Sequence, residues 1–179
     1  QGWRHVAADP GAVGFVGLAY TRVRRGSVVV TGGASGHFYR SHFLNIPSGA
    51  AVLSEGTGAT SFDGSTFENG PGAAIDMEVP SSIGTSLLDC RVAGMEGPAV
   101  IVRGSGGILI RGTLIRDCGA GIRFAGPVRG EVDHCTIVEC DGAGIEARDD
   151  SGKGSRATVH SVILWNNGAA VSVDPLSTL

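Results

Sequence analysis

The stretch TIVECDGAGI, residues 136–145, decides how the chain is read, because four other stretches align with it without a gap. They are FLNIPSGAAV at 43–52, TFENGPGAAI at 66–75, TLIRDCGAGI at 113–122 and VILWNNGAAV at 162–171. Self-similarity at a fixed period governs the whole architecture and is weighed before any secondary structure. The widest interval, from Thr66 to Thr113, is twice the usual one and holds a looser copy, LLDCRVAGMEGPAV at 87–100, read with a four-residue insertion. The period is therefore about 23 residues. Each copy opens on an apolar or β-branched run, passes through a turn of Asn, Asp, Cys and small residues, and resumes on an apolar residue. A further two-periodic run precedes each copy, at Thr60–Phe62, Ile108–Ile110, Gly130–Val132 and Ala157–Val159, which makes three strands per period.

A helical repeat needs ten or more residues of 3.6 spacing in every period, and these glycine-rich segments do not supply them. Each period instead makes one turn of a parallel coil whose strands pair with their copies in the next turn, about 4.8 Å away. The preference for right-handed parallel connections sets the expected hand. The expected fold is all-β, a right-handed parallel β-helix of six to seven coils, about 23 residues per coil.

Composition agrees with that solution. Of 179 residues 30 are glycine and only 17% are charged, so an ordinary mixed domain is a poor description, while 42% apolar residues suffice for a core. A single domain is expected over 1–179, with degenerate first coils over 1–42, clear repeats over 43–171 and the start of a further coil over 172–179. The chain opens on Gln1 without an initiator Met, and is read as an excerpt of a larger protein. A net charge of −3 with one lysine, Lys153, gives no general attraction to nucleic acid. No apolar run approaches the length of a bilayer span, so no membrane insertion is expected.

Stacking of copies sorts the side chains. The second block position, Leu44, Phe67, Leu114, Ile137 and Ile163, reads as core, as does the last, Val52, Ile75, Ile122, Ile145 and Val171. Period-two alternation then places Leu53, Asp76, Ile101, Arg123, Glu146 and Ser172 outside, with Glu55, Glu78, Arg103, Ala125, Arg148 and Asp174 two places on. Opposite charges meet at Arg123/Glu146, Glu78/Arg103 and Arg148/Asp174, which oppose register slippage. On the other strand an outward apolar stripe, Ile115, Val138 and Leu164 beside Trp165, marks a surface for the rest of the parent chain or for self-association. Cys118 and Cys140 fall near a turn position occupied by Asn69 and Asn167 in other coils, and are read as buried thiols.

TIVECDGAGI and VILWNNGAAV resemble the repeats of pectate-lyase-like right-handed parallel β-helix proteins, which run as apolar strand, Asn or Cys turn, then Gly-Gly-Ile. The resemblance covers 43–171 and is specific for fold. It implies a secreted or cell-surface protein, and it spans lyases, hydrolases, epimerases, adhesins and surface ectodomains. Residues for chemistry are few. Arg111, His134 and His160 are placed at one repeat position with Asp133 adjacent, a set able to offer a base and an electrophile for uronate β-elimination or hydrolysis. The calcium-holding Asp cluster common in the resembled lyases is missing, apart from Asp149-Asp150, and so are the paired Asp and Gly-His-Gly of polygalacturonases. No cofactor and no metal site is therefore expected. The favoured role is a non-catalytic scaffold or glycan-facing, adhesive module with polysaccharide as its partner. The alternative is a carbohydrate-active enzyme, a polysaccharide lyase or glycoside hydrolase, and a third reading is a self-assembling structural module.

Overall fold

In the computed structural model, which describes residues 4–7, 15–80, 84–148 and 152–179, every period is built as three short strands. Among the described residues these form three all-parallel sheets of eight, seven and seven strands, with no helix. Sheet A runs through Arg4–Ala7, Val28–Thr31, Val52–Ser54, Ile75–Val79, Pro98–Gly104, Ala120–Ala125, Ala143–Arg148 and Ala169–Val173. Sheet B holds Phe15–Ala19, Ser35–Tyr39, Thr60–Asp63, Thr85–Leu88, Gly107–Arg111, Arg129–Asp133 and Arg156–His160. Sheet C holds Arg22–Arg24, His42–Leu44, Thr66–Gly70, Arg91–Met95, Leu114–Arg116, Thr136–Val138 and Ile163–Trp165. Chain order is A, B, C, then A of the next coil, and each strand pairs only with its copies one period away.

The inward ladder of sheet A is Val28, Val52, Ile75, Val100, Ile122, Ile145 and Val171, as the repeat spacing implies. Coil length varies a little along it, shortest from Val100 to Ile122 and longest from Ile145 to Val171. Sheet B points Phe38, Phe62, Leu87, Ile110 and Val132 into the same interior, all fully buried. Aromatic residues stack along the axis in the early coils, Phe38 on Phe62 and Phe43 on Phe67, each with ring centroids 4.8 Å apart. Such stacks add about 0.5–1.5 kcal/mol beyond their buried area.

Sheet C differs from the gapless alignment. Its inward ladder is Phe43, Phe67, Val92, Ile115, Ile137 and Leu164, so Leu44, Leu114 and Ile163 face outward. Ile115 is fully buried, whereas Ile163 is 60% exposed. The expected apolar stripe is corrected accordingly: Ile115 and Leu164 point inward, and only Val138 and Trp165 share an outward ladder. The looser copy is also simpler than expected. Arg91 pairs with Thr66 and Val100 with Ile75, so RVAGMEGPAV at 91–100 is a full copy without insertion, and Leu87-Leu88 belongs to sheet B.

Two corners are made by single left-handed residues. Between sheets B and C these are Tyr20, Arg40, Gly64, Asp89, Gly112, His134 and Ser161, with φ from 46 to 63°. Most are not glycine, and such a conformation costs an ordinary residue about 1–2 kcal/mol. The stack holds them there, because the corner amides from Tyr20 to His134 donate to a carbonyl of the next coil, as Arg40 does to Asp63 (2.7 Å) and His134 to His160 (3.1 Å). The residues just inside this corner, Ser41, Ser65, Cys90, Thr113 and Cys135, are all buried, and the Ser65 and Thr113 hydroxyls accept backbone amides of Ser41 and Cys90. At the C-to-A corner the coils approach so closely that a Cβ on Gly119 would overlap the Glu96 carbonyl oxygen, and one on Gly168 that of Asp141. Close approach between coils is the physical reason for much of the glycine content.

All four cysteines are buried and free. Cys118 and Cys140 stack at the C-to-A corner with Asn167, whose Oδ1 accepts the Cys140 amide at 3.0 Å. Asn69 is not their counterpart, because it occupies the left-handed position one residue earlier, with φ 60°.

Candidate functional site

At the B-to-C corner the register places Arg111, Asp133 and His160 in one outward ladder. His134 is corrected by one position: it is the left-handed corner residue itself, and its imidazole leans back to Asp133. Asp133 is the hub. Its Oδ2 accepts from Arg111 Nε at 3.0 Å, and its Oδ1 lies 2.6 Å from His134 Nδ1. An ionised carboxylate only accepts, so Nδ1 carries a proton and donates this bond. Partial desolvation works to raise the Asp133 carboxyl, but the hydrogen bond from His134 and the charges of His134 and Arg111 outweigh it, and its pKa is lowered. The His134 side chain is 70% exposed, while the Asp133 carboxylate beneath it is only 14% exposed.

On the outer face of sheet A, Arg123 Nε meets Glu146 Oε2 at 2.6 Å across neighbouring coils, as the ladder implies. Arg103 departs from expectation. It turns from its direct neighbour Glu78 to Asp76 Oδ1 at 2.6 Å. Asp76 is the more buried carboxylate and gains more from a partner than exposed Glu78 does. Burial is the leading cause that raises the Asp76 pKa, with Glu55 adding to it and Arg103 opposing.

The C-to-A corner holds a feature absent from the sequence reading. Glu96, Asp117, Glu139 and Asp141 line a shallow groove of about 360 Å³, with Cys118 and Gly119 between them. The acids come from three coils and two places in the turn, Asp117 and Glu139 at the left-handed residue and Glu96 and Asp141 two residues beyond it. The one-residue slip at Ile115 and the insertion read into 87–100 separate these places in the sequence. The available signal is an acid beside the turn glycine or thiol in MEG, RDCG and VECDG. Among the described residues no three or more His, Cys, Asp and Glu side chains converge in a metal-holding arrangement. The Asp149-Asp150 pair lies outside the described residues.

A family described as right handed beta helix region matches residues 26–178, in agreement with the hand expected from the coil connections. No curated protein matches the chain, and no solved structure does.

Proposed function

The chain belongs to the right-handed beta-helix family, and from that premise we propose that it is a non-catalytic scaffold, a glycan-facing or adhesive module of a secreted or cell-surface protein. One observation supports this most: three outward arginines pair with carboxylates of adjoining coils along the axis. Arg123–Glu146 and Arg103–Asp76 close at 2.6 Å and Arg111–Asp133 at 3.0 Å, each between adjoining coils. Groups paired in this way hold register and present a regular polar surface to an extended polymer. The coil rise, about 4.8 Å, is close to the advance of one sugar in an extended chain, so such a polymer can follow the axis. The test is a binding and turnover assay on polygalacturonate, alginate and a neutral glucan. Retention of polysaccharide without product is the expected result, and steady product release contradicts it.

A carbohydrate-active enzyme is the second reading, favoured by the Asp133–His134 contact at 2.6 Å, which orients an exposed Nε2 as a base beside Arg111. Appearance of unsaturated uronate that is lost in His134→Ala and Arg111→Ala would establish a lyase in place of the scaffold.

A further inference from the structure

At the other end of the B-to-C corner lies a group that no charge pairing uses. Tyr20 and Tyr39, in neighbouring coils, meet edge to face with centroids 5.4 Å apart and planes at 86°. Arg40 is the left-handed corner residue that follows, with φ 46°, and its guanidinium carbon lies 5.1 Å from the Tyr39 ring centroid. Its stem runs over the next coil, where the Cβ position of Gly64 is 3.2 Å from Arg40 Cγ, so the lack of a side chain at Gly64 makes room for it. The guanidinium thus lies over Tyr39 while its stem crosses the glycine. It nevertheless pairs with no carboxylate among the described residues, unlike Arg103, Arg111, Arg116 and Arg123. Tyr20 remains 70% exposed, and half-buried Asp63 follows Tyr39 in the same ladder.

We propose that Tyr20, Tyr39, Arg40 and Asp63 form a subsite for one uronic acid residue of an acidic polysaccharide. This rests on the glycan-facing reading and gives it a place and a ligand class. The planar fork of the guanidinium matches a carboxylate two bonds at a time, and its stacking on Tyr39 lowers the entropy lost on binding. The open ring of Tyr20 takes the apolar face of the pyranose, as aromatic side chains with one wet end do. The Asp63 carboxylate accepts from sugar hydroxyls. The polymer continues along the corner toward Arg111, three coils on.

The experiment is isothermal titration of the full chain with a galacturonate tetrasaccharide and with its carboxyl-reduced, neutral counterpart. The native chain is expected to bind the acidic sugar at least about tenfold more tightly, and Arg40→Ala to remove that preference. Arg40→Lys restores only part of it, because an ammonium lacks the fork. Tyr20→Ala weakens both sugars severalfold. Arg129→Ala, an equal loss of charge on exposed sheet B, leaves affinity unchanged within about twofold, and circular dichroism confirms that each variant is folded. Undiminished acidic-sugar binding in folded Arg40→Ala and Tyr20→Ala overturns the subsite while leaving a glycan-facing module in place, and equal native affinity for the two sugars overturns the uronate assignment. Failure of the native chain to bind either sugar, or any polysaccharide in the assay above, removes the glycan-facing reading and the subsite with it.

Discussion

Asp76 sits on an outward ladder yet keeps a side-chain exposure of only 18%, with Arg103 on one side and the Glu55 charge nearby. Burial raises its pKa in the folded state above that of the unfolded chain. The native state therefore holds this proton more tightly, and the Asp76 contribution to stability falls as pH rises from the ordinary carboxylate range through the raised value. Asp76→Asn removes that titration. Urea unfolding across this window is expected to show the variant gaining on the native chain as pH rises; a gap that moves the other way contradicts the burial argument. The cysteines are a second residue-scale case. Burial is the leading cause that pushes the Cys90 thiol up to about 12, and it raises Cys135 as well. The pairing of Cys118 with Cys140, in which Cys118 keeps the proton, raises Cys118 together with burial, and the same pairing lowers Cys140. Cys90, Cys118 and Cys135 are expected to resist a thiol reagent in the folded protein and to react together once it is unfolded in urea. Rapid labelling of any one in the native state would show its corner to be open.

Elements carry the clearest contrast between what the sequence discloses and what it hides. The corner from the inward residue of sheet C to that of sheet A has one length at Phe67–Ile75 and Ile137–Ile145. It is one residue longer at Phe43–Val52 and one shorter at Ile115–Ile122 and Leu164–Val171. An alignment anchored on the Gly-Ala run is right for sheet A in every coil, and right for sheet C only where the corner keeps the length found at Phe67 and Ile137. One residue of slippage turns each side chain to the opposite face. Ile115→Asp is therefore expected to unfold the chain, since an uncompensated charge would enter the core, while Leu114→Asp costs about 1 kcal/mol or less on the half-exposed outer face. Denaturant midpoints of the two variants decide it, and comparable losses would refute the register. The acidic groove was hidden for the same reason, because Asp117 and Glu139 share a repeat position in the fold that the one-residue slip at Ile115 separates in the alignment. The Arg111 ladder was off by the same single residue, because Asp133 follows Arg111 by 22 residues and a period of about 23 places His134 there instead.

The whole molecule is a stack in which each coil is held only by the one before and the one after, so its stability is a sum over neighbours. That architecture was readable from the regular return of the Gly-Ala blocks and from glycine where coils nearly touch. The corner geometry was not, because left-handed Tyr20, Arg40, His134 and Glu139 are residue types that rarely adopt it alone and do so here through bonds to the adjoining coil. The central claim is that residues at one ladder position recur along a single axis. Spin labels on Ile163 and, in turn, on Thr66, His42 and Arg22 probe one outward ladder of sheet C four, five and six coils away, with the buried native thiols left unlabelled. Electron–electron distance measurement is expected to give separations of about 19, about 24 and about 29 Å, a constant step of about 4.8 Å per coil. Distances that fail to grow with coil number would contradict the parallel β-helix.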